Sequence, residues 1–223
     1  MRNCSLLGII CLLIACGEKA PDLSGNTPIK VNDFNKIFKT AALPTTITDT
    51  SFKKTKDTLT IQRKALAQFV PDSVIEQFID SKNNTKSSIH PLMKINEDAV
   101  YYLLLNIKYP KKIDIVALVF DKKNKFLDYK TITEFNDENK NSSKYEKTLN
   151  INREPSFLVE ENNTNNQGQN TYEKKGWAFS EGSFRLIYFD SNKKPENTVI
   201  INPIDTAAAK NDTDTYSILP KKW

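Results

Sequence analysis

Glycine is scarce in this 223-residue chain, at six residues, and histidine is rarer still, at one. So few glycines argue against the Gly-rich loops that cradle nucleotide phosphates, where a backbone without Cβ must approach the ligand closely. A single histidine, His90, excludes a zinc site built on several histidines of one chain. The three cysteines, Cys4, Cys11 and Cys16, all fall within the first sixteen residues. Everything after them is without thiols, so disulfides, thiolate metal sites and a cysteine nucleophile are excluded there. Arginine is short as well, with four among 32 basic residues against 27 acidic ones. Only one long apolar run occurs, at 6–15, and about ten residues are too few to span a bilayer.

What is present begins with that run. Arg2 supplies a positive flank, the apolar stretch has the length of a signal-peptide core, and it ends in Leu13-Ile14-Ala15-Cys16. This segment resembles the lipobox of bacterial lipoprotein precursors. The resemblance implies cleavage between Ala15 and Cys16, a diacylglycerol on the Cys16 thiol and a further acyl chain, such as palmitate, on the new amine. Residues 1–15 would then be a discarded signal and the mature chain 16–223, with its net charge reduced from +5 to +4 by the loss of Arg2. Three acyl chains exceed the two membrane signals that already give stable attachment. Gly17, in place of an acidic residue after the cysteine, favours the outer membrane by the enterobacterial sorting rule. The scattered acids of 17–22 make a weak version of the surface-export signal of bacteroidete-type lipoproteins. The expected address is therefore the periplasm-facing leaflet of the outer membrane, with surface exposure open.

Residues 16–32 are polar, carry Pro21, Gly25 and Pro28, and read as a flexible tether reaching roughly 50 Å when extended. A single domain is expected over 33–201. Phe34, Ile37 and Phe38 stand at helical spacing; Ile61, Ala65, Leu66 and Phe69 predict one short helix, and Val74, Ile75, Phe78 and Ile79 a second after Pro71. Residues 45–57 read as a Thr- and Lys-rich loop or edge strand. From Leu92 the period falls to two. Strands are predicted at 99–109, 113–120, 126–135, about 145–151, 156–160, 171–180 and 183–189, with turns at 121–125 and Glu181-Gly182. Connections this short join antiparallel neighbours. The expected fold is α+β and mainly β: short N-terminal helices, then an antiparallel β-meander of about six to eight strands, curled, closed as a barrel or split into a sandwich. The amide-rich stretch 161–170 reads as a solvated hairpin loop, and 202–223 as a polar tail with room for one late strand near Tyr216-Ser217-Ile218-Leu219. This order of lipobox, tether, helices and Lys/Asn-rich meander resembles the uncharacterised β-rich lipoproteins of the bacteroidete type. It carries no motif from which functional residues could be transferred.

Chemistry must come from what remains. His90 could serve a serine as base, but no Gly-x-Ser-x-Gly elbow is present and the structural reading of this residue prevails. Carboxylate pairs act in glycosidases, and Asp98, Asp114, Asp128 and Glu134 lie in or beside predicted strands where a cleft could collect them. Two tryptophans, Trp177 in a strand and Trp223 at the end, are few for a sugar-stacking groove. No Asp-x-Asp-x-Asp-Gly calcium loop occurs. Asp57-Thr58-Leu59, Asp72-Ser73-Val74 and Asp205-Thr206-Ala207 match the short pattern of bacteroidete O-glycosylation sites, of which the tail copy is the one worth testing. The lysines are dispersed, which fits a solvated surface better than a nucleic-acid partner. The sequence thus points to a lipid-anchored, non-catalytic envelope module binding a protein or a glycan, with no cofactor or metal. A small carboxylate-based glycan hydrolase, or an inhibitor or immunity-type lipoprotein, are the alternatives.

Overall fold

A computed structural model of the chain describes residues 21–48, 59–79, 87–136 and 144–193. Within them run α1 (Val31–Lys36), β1 (Thr45–Thr48), α2 (Arg63–Leu66), α3 (Asp72–Phe78) and eight further strands. Four of these, β2 (Ser88–Asn96), β3 (Val100–Lys108), β4 (Lys112–Asp121) and β5 (Phe126–Asn136), form a four-stranded antiparallel sheet in chain order. The others, β6 (Lys144–Ile151), β7 (Ser156–Thr164), β8 (Asn170–Ser180) and β9 (Ser183–Ser191), form a second meander that β1 extends along β6, giving the order β1-β6-β7-β8-β9. The fold is therefore mainly β, and the meander splits into two open sheets instead of closing into a barrel.

The split follows from the pattern of β3 and β4. In β3 every residue but Lys108 is buried, which no sheet with a wet face allows. Its odd-numbered side chains, Tyr101, Leu103, Leu105 and Ile107, pack with Val116, Leu118 and Phe120 of β4 against the helical segments. Its even-numbered Tyr102 and Leu104 face Leu149, Ile151, Phe157 and Val159 of the five-stranded sheet. Three layers result: helices, inner sheet, outer sheet. Each fully buried large side chain contributes about 1.5–3 kcal/mol of transfer free energy. Phe34 of α1, stacked on Phe69 with ring centroids 4.2 Å apart, anchors the helical layer, and the edge-to-face pair Tyr102–Phe157 at 5.6 Å joins the two sheets. In the outer sheet Tyr145, Lys147, Leu149 and Ile151 alternate with residues facing solvent, as the period of two predicts.

Turn chemistry is local. Asp121 Oδ1 accepts bonds from the N–H groups of Lys123 and Lys125, each at 2.8 Å, and Asn124 takes a positive φ. Glu181 and Gly182 both have positive φ, the geometry of a two-residue hairpin turn whose twist matches its strands.

Four expectations need correction. The stretch 161–170 is mostly strand: β7 continues to Thr164, β8 starts at Asn170, and only 165–169 turns. Asn165 Oδ1 nucleates that turn by accepting from the N–H groups of Gln167 and Gln169, so pairing overrides the poor β propensity of asparagine. The first strand of the meander begins at Ser88 and runs through Pro91, which an edge strand tolerates because its missing N–H leaves no inner partner unpaired. Ile61 lies outside helix α2, bonded through its N–H to the Ile89 carbonyl at 2.8 Å. Finally, from Leu23 the expected tether is part of the fold. Leu23 is buried, its carbonyl accepts from Gln62 N–H at 2.9 Å, and Gln68 bonds both Ile29 N–H and Thr27 carbonyl.

Candidate binding face

Cys16, the Ala15–Cys16 bond, Asp57, Thr58, Asp205-Thr206-Ala207, the 216–219 segment and Trp223 lie outside the described residues. Asp72 and Ser73 are exposed at the start of α3, where Asp72 pairs with Arg63.

His90 is buried on the face of β2 that meets the outer sheet, opposite Asn106. Its Nδ1 lies 2.7 Å from the Leu59 carbonyl, which can only accept, so Nδ1 carries the proton and Nε2 accepts from Ser88 Oγ at 2.8 Å. Serine and histidine are thus in contact, two positions apart on one strand face. A main-chain carbonyl holds the position a carboxylate takes in a catalytic triad. Both ring nitrogens are used, and the bond to Leu59 ties the segment before α2 to the edge of the inner sheet.

Of the four acidic candidates, only two come together. Asp98 is exposed in the turn between β2 and β3. Asp128 points to the outer sheet, where its Oδ2 accepts from Phe184 N–H at 2.8 Å and so joins β5 to β9. Asp114 and Glu134 are direct cross-strand partners. Lys112 bridges them, with its Nζ 3.2 Å from Asp114 Oδ2 and 2.9 Å from Glu134 Oε2. Burial pushes the Asp114 carboxyl up, and Lys112 only partly offsets this. Burial acts in the same sense on Glu134, but the bonds from Lys112 and Asn136 outweigh it and hold that carboxyl below its ordinary value. Lys112 in turn is raised: burial works against its charge, yet the bond to Glu134 and the charge of Asp114 prevail. Lys112 thus stands at ion-pair distance from both acids, in a partly buried cluster of which only Asp114 is well covered. Among the described residues no group of three or more His, Cys, Asp and Glu is placed to hold a metal ion.

Trp177 belongs to the packing between sheets. Lys130 of β5 reaches across so that its Nζ stands 3.8 Å from the ring centroid, and burial lowers the Lys130 pKa.

The open chemistry lies on the solvent face of the outer sheet. There β6, β7 and β8 border a groove of about 390 Å³ lined by Lys144, Glu146, Asn162, Thr164, Asn170 and Tyr172. Cross-strand register creates it, since Glu146 faces Asn162 and Asn162 faces Tyr172, while Thr164 faces both Lys144 and Asn170. Lys144 and Glu146 pair at 3.3 Å, which leaves the lining close to neutral. Tyr172 is pinned twice: its hydroxyl donates to Asp190 Oδ1 at 3.1 Å, and its N–H donates to Asn192 Oδ1 at 2.6 Å. The Asp190 bond raises the phenol pKa and keeps the ring neutral. Asn163 Oδ1, also at the groove, is buried with no partner among the described residues.

Beside the groove, edge strand β9 exposes Ile187, Tyr188 and Phe189, at 54%, 47% and 39% of their surfaces. Tyr188 stands opposite Gly176, and a Cβ there would come within 3.0 Å of the tyrosine Cβ, so glycine permits the close approach. The register shift at Gly176/Trp177 makes Ile187 the extra residue of a bulge, a device that turns an edge away from further pairing. The groove escapes sequence reasoning because Asn162, Thr164 and Asn170, which line its centre, sit in the stretch that composition alone assigns to a loop. The readable signal is the amide run of 162–170 ending directly in Thr171-Tyr172.

No protein family, curated protein or solved structure matches this chain.

Proposed function

We propose that the protein is a lipid-anchored, non-catalytic module of the bacterial cell envelope that binds a neutral glycan on the open face of its outer sheet. The groove of β6–β8 carries this reading. Its lining of amides and hydroxyls offers donors and acceptors together, as sugar hydroxyls require, and Tyr172 adds a fixed ring edge. Its one cation and one anion are paired, so neither a phosphate nor a strongly acidic polymer finds net charge to meet. The non-catalytic reading draws support from the four candidate acids, of which the two brought together, Asp114 and Glu134, are bridged by Lys112. The address rests on the Leu13-Ile14-Ala15-Cys16 lipobox and the outer-membrane sorting expected of Gly17.

A panel of neutral oligosaccharides, including chitotetraose and maltotetraose, titrated into ¹⁵N-labelled protein tests the groove. The expected result is fast-exchange shifts at Asn162, Asn170 and Tyr172 with Kd on the order of 10⁻⁴ M, or about −5.5 kcal/mol, abolished by Tyr172→Ala. Shifts confined elsewhere, or none across the panel, refute glycan binding at this face. A protein partner is the second reading, and the exposed Ile187, Tyr188 and Phe189 favour it. Crosslinking from the native membrane that depends on these three residues and not on Tyr172 would select it.

A further inference from the structure

We infer that the helical layer faces the membrane, and that the outer sheet with its groove is held on the far side of the domain. The inference rests on the lipid-anchor reading of Cys16 and adds an orientation to it. Its basis is where the chain becomes fixed. Ser24 N–H and Oγ both bond the Asp22 carboxylate at 2.9 Å. Leu23 is inserted in the helical-side core, bonded through its carbonyl to Gln62. Gly25, at φ +77°, sits so tightly on α2 that an added Cβ would lie 2.3 Å from Ala65 N and 2.4 Å from the Lys64 carbonyl carbon. The chain is therefore held to the helical layer from Leu23 on, with Asp22 tied to it through Ser24.

Six peptide steps separate Cys16 from Asp22, a reach of at most about 20 Å. Sheets stack about 10 Å apart, and a helix with its side chains is about 10 Å across. The groove consequently lies about 20 Å beyond the helical layer along the stacking direction. A route from Asp22 around both sheets to the open face is longer still, about 30 Å or more for a domain of this size. A lipid on Cys16 can thus meet the bilayer when the helical layer lies on it, and cannot when the outer sheet does. Lys30 and Lys64 are exposed on the helical side together with the acidic Asp22, Asp72 and Glu76, so chain length and not charge carries the orientation.

Thiol chemistry makes the test clean, because Cys16 would be consumed by lipid and the rest of the mature chain has no other cysteine. Full-length lipidated Lys64→Cys and Lys174→Cys proteins, each labelled with a small fluorophore, are reconstituted in phosphatidylethanolamine/phosphatidylglycerol vesicles containing headgroup spin label. Lys64 lies beside Gly25, and Lys174 lies on the solvent face of β8. The expected result is several-fold stronger quenching at 64 than at 174, and loss of that difference when a dozen Gly/Ser residues are inserted after Gly17. Lys30→Cys repeats the measurement should the label at 64 disturb the fold. Equal quenching, or stronger quenching at 174, overturns the orientation. Intact mass and resistance to carbonate extraction separate the two layers of the claim. An unacylated, extractable protein overturns the anchor reading and the orientation with it, whereas an acylated protein quenched at 174 overturns the orientation alone.

Discussion

Replacing Lys112 by methionine probes a place where a carboxylate is buried beside its cation. Asp114 has a side chain 7% exposed, its Oδ2 is held by Lys112, and its Oδ1 has no partner among the described residues. Methionine keeps the stem of the lysine and removes the one cation bonded to that carboxylate among the described residues. Breaking one side of a buried pair costs about 3–5 kcal/mol. Lys112 is itself 31% exposed and Glu134 can turn to solvent, so the expected loss at pH 7 is nearer 2–3 kcal/mol. For a domain of this size that is a fall in Tm of about 4–12 °C. The pH dependence identifies the cause. Asp114 is raised by burial even with Lys112 present, so the folded state binds its proton more tightly than the unfolded state does. Stability attributable to Asp114 therefore falls as pH rises through the window from its unfolded to its folded pKa, and methionine widens that window. Denaturant melts of wild type and Lys112→Met should accordingly diverge as pH rises from about 4 to 7. Glu134 has the opposite sign, since its lowered pKa gives stability present above its unfolded pKa and lost in acid. The double variant Lys112→Met/Asp114→Leu should recover most of the loss, because it removes both charges from an apolar strand. A Lys112→Met penalty that is independent of pH, or undiminished in the double variant, would refute the argument that an orphaned Asp114 charge is responsible.

Other substitutions test the remaining joints. Gly25→Ala meets main-chain atoms of Lys64 and Ala65 that cannot move aside and stands at positive φ, so a loss of about 2–4 kcal/mol is expected in urea melts. His90→Ala leaves the Leu59 carbonyl and the Ser88 hydroxyl without their partner; about 2–3 kcal/mol of lost stability, with faster amide exchange at Ile61, would mark it as the tie between 59–61 and β2. Glu161→Gln weakens bonds from Lys147 and Lys193 and should cost about 1–2 kcal/mol at pH 7; the cost should shrink as pH falls through the lowered Glu161 pKa, where the carboxylate's contribution is lost.

Fold class is legible in the sequence because β3 and β6 announce their periods differently. The alternation of Tyr145, Lys147, Leu149 and Ile151 marks a sheet with one wet face, and it is one. The run from Val100 to Ile107 is apolar on both faces, which calls for cover on both sides, and the three layers supply it. Two features are illegible for physical reasons. Strand formation at 162–164 and 170–172 depends on cross-strand partners and on the Asn165 turn, whereas composition reports only solubility. The clamp at 22–25 depends on a glycine fitting against α2, and a lone glycine between prolines looks the same in a free tether.

Both illegible features bear on function. The acidic candidates that the strand pattern does place, Asp114, Asp128 and Glu134, are each committed to an internal bond. Asparagines that pattern discounts as loop instead line the open groove. Charge inside the fold serves to hold strands, the Lys112 cluster within the inner sheet and Asp128 between the two sheets, because an ion cluster or a capped edge N–H is specific about what it touches. In the proposed glycan reading, recognition falls to uncharged groups at the surface, where amides would exchange water for sugar hydroxyls without desolvating an ion. On the proposed lipid anchor at Cys16, those groups would occupy the side of the domain turned away from the bilayer. A module that used its helical face would then need a longer tether to free that face. Under that proposal, the six residues from Cys16 to Asp22 favour the outer sheet as the working surface.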